Sequence, residues 1–212
     1  MDQILQNYSL LNHLNVSRET LLDFEKFSSM IIEKNGEINI VSKESAKEEI
    51  IRNRHIIDSA QVIDFIDLKH DKTTDLGAGG GFPGIISAIM LKHMKKNIKV
   101  HLYEKSHHKS SFLRDISRKL NLDTEVIQKD IFKTTELKSG TIMARAFKPL
   151  PLVLELVYKN FNSYKNLILF MGKSGQKILE ETLKTWELEF EKKESITSKE
   201  SFLLNITKIN KK

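Results

Sequence analysis

The apolar positions change their period once along the chain, near residue 71. From Ser17 to Lys34, Leu21, Phe24, Phe27, Met30 and Ile31 fall at helical spacing, with Ser17 placed to cap the start and Asn35-Gly36 to stop it. This spacing predicts an amphipathic helix. Ser45-Ala46-Lys47-Glu48 has capping-box form and leads into Ile50, Ile51, Ile56, Ile57, Val62 and Ile63, which predicts a second helix from Ser45 to about Leu68. Residues 1–72 therefore read as a helical appendage to the rest of the chain.

Beyond Asp71 short β-type runs appear at Thr73–Leu76, Ile98–Tyr103, Thr124–Gln128, Ile142–Ala144 and Asn166–Met171. Helical patterns near Gly84–His93, His107–Leu120 and Leu150–Asn160 separate them. Strands alternating with helices predict βαβ units, hence a doubly wound α/β fold with a mostly parallel sheet. Two further runs, Trp186–Lys193 and Phe202–Ile209, have no helix between them and predict a terminal antiparallel hairpin, which brings the sheet to seven strands. The expected organisation is residues 1–72 as appendage and 73–212 as the main domain.

Composition narrows the chemistry. With no cysteine, thiolate catalysis, disulfides and Cys-ligated metal sites are excluded, and the seven histidines show no metal spacing, so no metal is expected. The apolar runs are too short for a membrane span, and Met1-Asp2-Gln3 does not open a secretory signal; a cytoplasmic protein with no membrane partner is expected. The net charge of +6 is unevenly spread: residues 1–72 hold nine Lys/Arg against thirteen Asp/Glu, so the excess of base lies in the remainder. Lys92 to Lys119 alone carries nine Lys/Arg against Glu104 and Asp115. Such a run is either a solvated face or a footprint for a phosphate backbone.

The most informative stretch is Thr73-Thr-Asp-Leu-Gly-Ala-Gly-Gly-Gly-Phe-Pro-Gly84, with five glycines between a β-run and a helical run. Glycine lets backbone turn sharply or approach a ligand without a Cβ in the way. Gly79-x-Gly81-x-x-Gly84 matches the dinucleotide fingerprint, with Glu104 in the place of the ribose-binding acid. The competing frame, Asp75-Leu-Gly77-Ala-Gly79, places an acid before the first glycine. A carboxylate suits the sulfonium and ammonium of S-adenosylmethionine and opposes a diphosphate. Asp75 favours the methyl donor. Gly172-Lys173-Ser174 ends like a P-loop, but Leu167 stands where that motif needs glycine.

Asp75 to Gly84 also resembles the glycine loop of the glucose-inhibited division protein B (RsmG) family, whose members methylate N7 of a guanine in 16S ribosomal RNA. Asn39-Ile-Val-Ser42 with Arg54-His-Ile-Ile-Asp-Ser59 is similar to that family's N-terminal signature, Ser106 to Arg114 to its segment after the second strand, and Met143-Ala-Arg-Ala-Phe147 to its motif after the fourth. The resemblance spans residues 35–150. It implies donor contacts from Gly77, Phe82, Glu104, Ile131, Phe132 and Arg145, with Asp75 and Gly79 completing the loop. Glu104 would take the ribose hydroxyls, and Ile131-Phe132 would flank the adenine. Arg145 is the residue expected to act in catalysis, and Arg54, His55, Lys109 and Lys173 are expected to contact RNA. The partner would be 16S RNA or a small-subunit precursor, met by a monomer. Three positions depart from the family pattern: Ala144 for Ser, Asp130 for Arg or Asn, and Met171-Gly172-Lys173 after the fifth strand.

N7 carries a lone pair and no proton, so methylating it requires positioning and no general base. Two other readings of the same residues are an NAD-dependent oxidoreductase using the glycine loop and a non-catalytic ribosomal RNA-binding factor. For the side chains, plainer readings exist as well: Arg145 as a cap on a strand end, and His55 as a half-buried histidine paired with Asp58.

Overall fold

The computed structural model describes residues 2–212; what the sequence reading rests on Met1 lies outside the described residues. Seven strands form one sheet: β1 (Lys72–Leu76), β2 (Lys99–Tyr103), β3 (Thr124–Ile127), β4 (Thr141–Arg145), β5 (Asn166–Met171), β6 (Trp186–Ser195) and β7 (Ser198–Lys211). Their order is β3-β2-β1-β4-β5-β7-β6. The first five are parallel and the last two form an antiparallel hairpin joined to β5. The fold is the doubly wound α/β class that the alternation predicts.

α1 (Arg18–Asn35) begins where Ser17 Oγ accepts the Thr20 N–H at 3.3 Å, and it buries Leu21, Phe24, Phe27 and Ile31. α2 (Gly84–His93), α3 (His107–Lys119), α4 (Leu150–Asn160) and α5 (Gly175–Thr182) connect the strands. Two apolar cores lie on the two faces of the sheet. One joins Phe24, Phe27, Ile31, Ile51 and Ile56 to Ile85, Ile89 and Leu113, so the N-terminal helices pack on the sheet domain through a continuous core. The other holds α4, α5 and Trp186.

The predicted helix from Ser45 to Leu68 is replaced by a broken one. Ser45 caps no helix: the Ser42 Oγ accepts the Ser45 N–H at 3.2 Å over a separate 3₁₀ turn (Lys43–Ser45), and the helix beyond it starts without a side-chain cap. An α turn (Glu48–Ile50) leads into a π-helical segment, Ile51–Ile57, then an α turn (Asp58–Ala60) and a 3₁₀ turn (Gln61–Asp64). The wider winding keeps Ile51, Ile56 and Ile57 together on the buried side of the segment. Several elements escape the sequence reading, among them a small two-stranded parallel sheet of Leu137–Lys138 and Phe161–Ser163. α5, Gln3–Asn7 and the 3₁₀ turn Ser9–Leu14 are each too short to show a helical period, although Tyr8 and Leu11 are buried. Among the described residues no helix is long and apolar enough to cross a membrane.

Candidate active site

β1 is followed by α2 and β2 on one side, and β4 pairs with its other side, so the strand order reverses at the carboxyl ends of β1 and β4. Ligands of open α/β sheets bind at such a point. A cavity of about 770 Å³ opens there, within the size of small-molecule sites. The glycine loop, the ends of β2 and β4, the 3₁₀ turn Ile131–Lys133, and the stretch Ile40–Ser42 line it. Asn35 shapes that last wall, its Oδ1 accepting the N–H groups of Ile40 and Val41 at 2.8 and 2.9 Å.

The five loop glycines serve different ends. Gly77 (φ +71°) and Gly79 (φ +53°) line the cavity in the left-handed conformation, and a Cβ on Gly77 would lie 2.2 Å from the Phe147 ring. Gly84 faces away from it, where a Cβ would meet Leu102 at 2.3 Å and the Asp75 carboxylate at 2.6 Å. Gly80 and Gly81 let the loop close against Ile40 and Phe27 of the N-terminal layer.

Asp75, expected among the donor contacts, stands behind the loop and does not line the cavity. It is fully buried, and its Oδ2 accepts the Gly84 N–H at 2.8 Å while Oδ1 has no partner. Burial pushes its pKa up to about 7, against the Gly84 hydrogen bond, which favours the anion. Glu104 sits at the end of β2 on the cavity wall. Its two oxygens accept the N–H groups of Gly79 (3.0 Å) and Ser106 (2.7 Å), leaving each further lone-pair capacity. Ile131 is buried and Phe132 exposed on the opposite wall, with Phe132 stacked on Phe147 at 5.9 Å. Asp130 caps this turn, its Oδ1 accepting the Phe132 N–H at 3.1 Å, which gives the unexpected carboxylate a local task.

Arg145, the last residue of β4, lines the cavity but is tied to the broken helix. Nη1 donates to the His55 carbonyl (3.4 Å) and Ser59 Oγ (3.3 Å), and Nη2 donates to the Arg54 carbonyl and lies 3.4 Å from Asp58 Oδ2. Burial draws its pKa down, against Asp58 and Asp75. Both terminal nitrogens are thus engaged by the protein. Asp58 pairs with Arg145 rather than His55. His55 lines the cavity, stacked on Phe82 at 5.0 Å, with its Nε2 buried and unpartnered. Burial first, then the charges of Arg145 and Arg54, lower its pKa to about 4, so the ring is neutral at pH 7. The Arg54 side chain is exposed and does not line the cavity.

The basic stretch does not lie on one surface. α2 runs away from the glycine loop, so Lys92, His93, Lys95, Lys96 and Lys99 lie at the amino ends of the strands, across the sheet from the cavity. Lys92 and His93 are bound to Asp23, each at 2.9 Å. Lys105 and Lys109 reach the cavity rim, and Lys129 and Lys148, which the charge pattern does not single out, join them there. Among the described residues none of these four is in an ion pair. Lys173 follows β5, pairs with Glu200 at 3.0 Å, and does not line the cavity.

The family model described as rRNA small subunit methyltransferase G matches residues 20–206. Ribosomal RNA small subunit methyltransferase G of Pelagibacter ubique (strain HTCC1062) is 65% identical over all of both chains. The protein of that name from Ruegeria pomeroyi (strain ATCC 700808 / DSM 15171 / DSS-3) is 33% identical over 94% of this chain and 97% of its own. Among solved structures, the 16S rRNA methylase RmtB superposes with a TM-score of 0.54 at 14% identity, covering 91% of this chain and 76% of that one. A mutant of MtNAS in complex with S-adenosylmethionine gives 0.56 at 15%, covering 94% and 82%. At these identities the structures speak for the fold.

Proposed function

The chain belongs to the rRNA small subunit methyltransferase G family, and from that premise we propose that it methylates N7 of a guanine in 16S ribosomal RNA with S-adenosylmethionine as donor. The observation that carries the donor is the tie between Asp75 and Gly84. In dinucleotide enzymes the pyrophosphate sits at the amino end of the helix after the loop. Here a carboxylate of the protein already takes that N–H, which disfavours the NAD reading.

The residues fit the donor. Glu104 has spare acceptor capacity for the ribose hydroxyls, Ile131 and Phe132 offer an apolar slot for the adenine, and Gly77, Gly79 and Phe82 border the space between. Asp75 serves this site by fixing the loop. When bound, the donor supplies an electrophilic methyl on a sulfonium. The chain has only to hold N7 in line with it and exclude water.

The nucleobase belongs in the part of the cavity bordered by Phe147, Phe82 and His55. A neutral imidazole and aromatic faces suit a purine that becomes cationic on N7 methylation, whereas an imidazolium would oppose it. Arg145 acts as a positioning residue, since its terminal donors are already engaged. Lys105, Lys109, Lys129 and Lys148 are placed to neutralise phosphates flanking the target. We take the partner to be 16S RNA within a small-subunit precursor, met in the cytoplasm by a single copy of the chain.

The test supplies undermodified small subunits and naked 16S RNA with labelled donor, then cleaves the RNA at N7-methylguanosine with borohydride and aniline. Cleavage at one guanine is expected. Label without cleavage would overturn the N7 assignment, and absence of label the activity.

A further inference from the structure

The hairpin tip between β6 and β7 rises beyond the carboxyl edge of β5, because β7 pairs with β5 only from Phe202 onward. It meets the broken helix there. Asp58 Oδ1 accepts the hydroxyls of Ser195 (2.8 Å) and Thr197 (3.1 Å), and the Gln61 amide returns to it at 3.1 Å. Gln61 Oε1 accepts the Ile196 N–H at 2.9 Å. The other oxygen of Asp58 faces Arg145, which grips the carbonyls of Arg54 and His55.

From this unbroken chain of contacts we infer that the hairpin tip is a working part of the site: Ser195 and Thr197 orient Asp58, Asp58 anchors Arg145, and Arg145 holds the π-helical segment so that His55 lies flat on Phe82 in the cavity wall. Asp58 is the central positioning residue. None of Ser195, Thr197 and Asp58 lines the cavity, so each acts through Arg145. The physical need is plain. A π turn is sparsely populated on its own, and a charge as buried as that of Arg145 requires a fixed counter-charge. Donors from Ser195, Thr197 and Gln61 on the far oxygen of Asp58 fix the direction in which it presents that counter-charge.

The inference rests on the methyl-transfer reading above, and the two fail separately. If the wild-type chain neither binds S-adenosylhomocysteine nor transfers methyl, that reading falls; the present one is tested by variants of an active chain. The variants are Asp58→Asn and the double change Ser195→Ala with Thr197→Ala, singly and combined. Ser198→Ala in the same turn is the control, because its hydroxyl bonds Glu200 and Ser201 instead. Calorimetry with S-adenosylhomocysteine, kcat and KM on 16S RNA, and the histidine ring signals of the labelled protein are followed together.

We expect kcat to fall about tenfold or more for Asp58→Asn and for the tip pair, as displaced reacting groups do. KM and inhibitor affinity should stay within about threefold, and the control should match wild type. Combining the tip pair with Asp58→Asn should cost no more than Asp58→Asn alone, because coupled residues are not additive. The His55 ring, whose pKa is held down to about 4 first by burial and then by the charges of Arg145 and Arg54, should titrate higher in the tip pair, which changes no charge but loosens the segment that buries the ring. Additive losses, or a kcat and His55 titration unchanged by the tip pair, would overturn the inference. The Ser195 hydroxyl also accepts the Thr197 N–H at 3.2 Å, so melting curves of each variant are recorded alongside, and the kinetic comparison is made where the fold is retained.

Discussion

At the scale of single residues, Asp75 separates a strut from a ligand contact. Its carboxyl titrates near 7 because burial outweighs the Gly84 hydrogen bond. A folded pKa above the unfolded value of about 4 means that the fold binds the proton more tightly. The stabilisation is full below about pH 4 and is lost as pH rises toward 7. Asp75→Asn, neutral throughout, should therefore melt higher relative to wild type at pH 8 than at pH 5, by the equivalent of about 1–3 kcal/mol. Asn retains an oxygen for the Gly84 N–H, so calorimetry should find S-adenosylhomocysteine binding within about threefold of wild type; loss of binding would make Asp75 a direct contact instead. Gly77→Ala is the contrasting change. Its methyl would lie 2.2 Å from Phe147 at a φ of +71°, and inhibitor affinity should fall at least about tenfold with the fold retained.

Among elements, the lysines offer the clearest test, because topology divides what the linear sequence joins. Changing Lys95, Lys96 and Lys99 to Gln should leave RNA affinity and its salt dependence as they are. Changing Lys105, Lys109, Lys129 and Lys148 should raise KM for RNA and reduce the slope of log affinity against log salt by about 3, near 0.7 for each phosphate no longer neutralised. Filter binding across a salt series reads both. Equal effects from the two sets would make the charge a general surface property. The same division explains what the sequence could disclose. Strand and helix alternation and the glycine loop were legible because each is local, Glu104 stood out by its spacing from that loop, and Ile131-Phe132 came into view only through the family resemblance. The π segment was hidden behind a capping box that a regular helix would also satisfy. Lys129 and Lys148 are isolated charges that only the folding of β3 and β4 brings to the rim. The contact of Asp58 with Ser195 spans 137 residues, and no local pattern announces it.

For the molecule as a whole, the remaining question is whether residues 1–72 are an appendage or half of a core. Asp23 of α1 binds Lys26, Lys92 and His93, and these hydrogen bonds hold its pKa low against the burial that would raise it. That contribution is present above the unfolded carboxylate pKa and disappears as pH falls through the depressed folded value. Asp23→Asn should cost on the order of 1–3 kcal/mol near pH 7, a cost that shrinks as pH falls through the depressed folded pKa of the wild-type carboxyl, read from melting curves across pH. The ion pairs only pin an apolar joint. Phe24, Phe27, Ile31, Ile51, Ile56 and Ile57 are fully buried in the core that contains Ile85 and Ile89. Each such side chain is worth about 2 kcal/mol when buried, and a domain's whole stability is about 5–15 kcal/mol. Six of them together are comparable to that net stability, so a chain without them keeps no margin. A fragment of residues 73–212, although it keeps all seven strands but for Lys72 and the whole glycine loop, should bind a hydrophobic dye, melt without a cooperative transition and fail to bind S-adenosylhomocysteine. A cooperative melt with retained binding would instead make residues 73–212 a self-sufficient domain and the N-terminal helices an attachment. The cavity argues for the first result: Ile40, Val41, Ser42 and His55 form one of its walls, so without the first 72 residues the site lacks a side as well as a core.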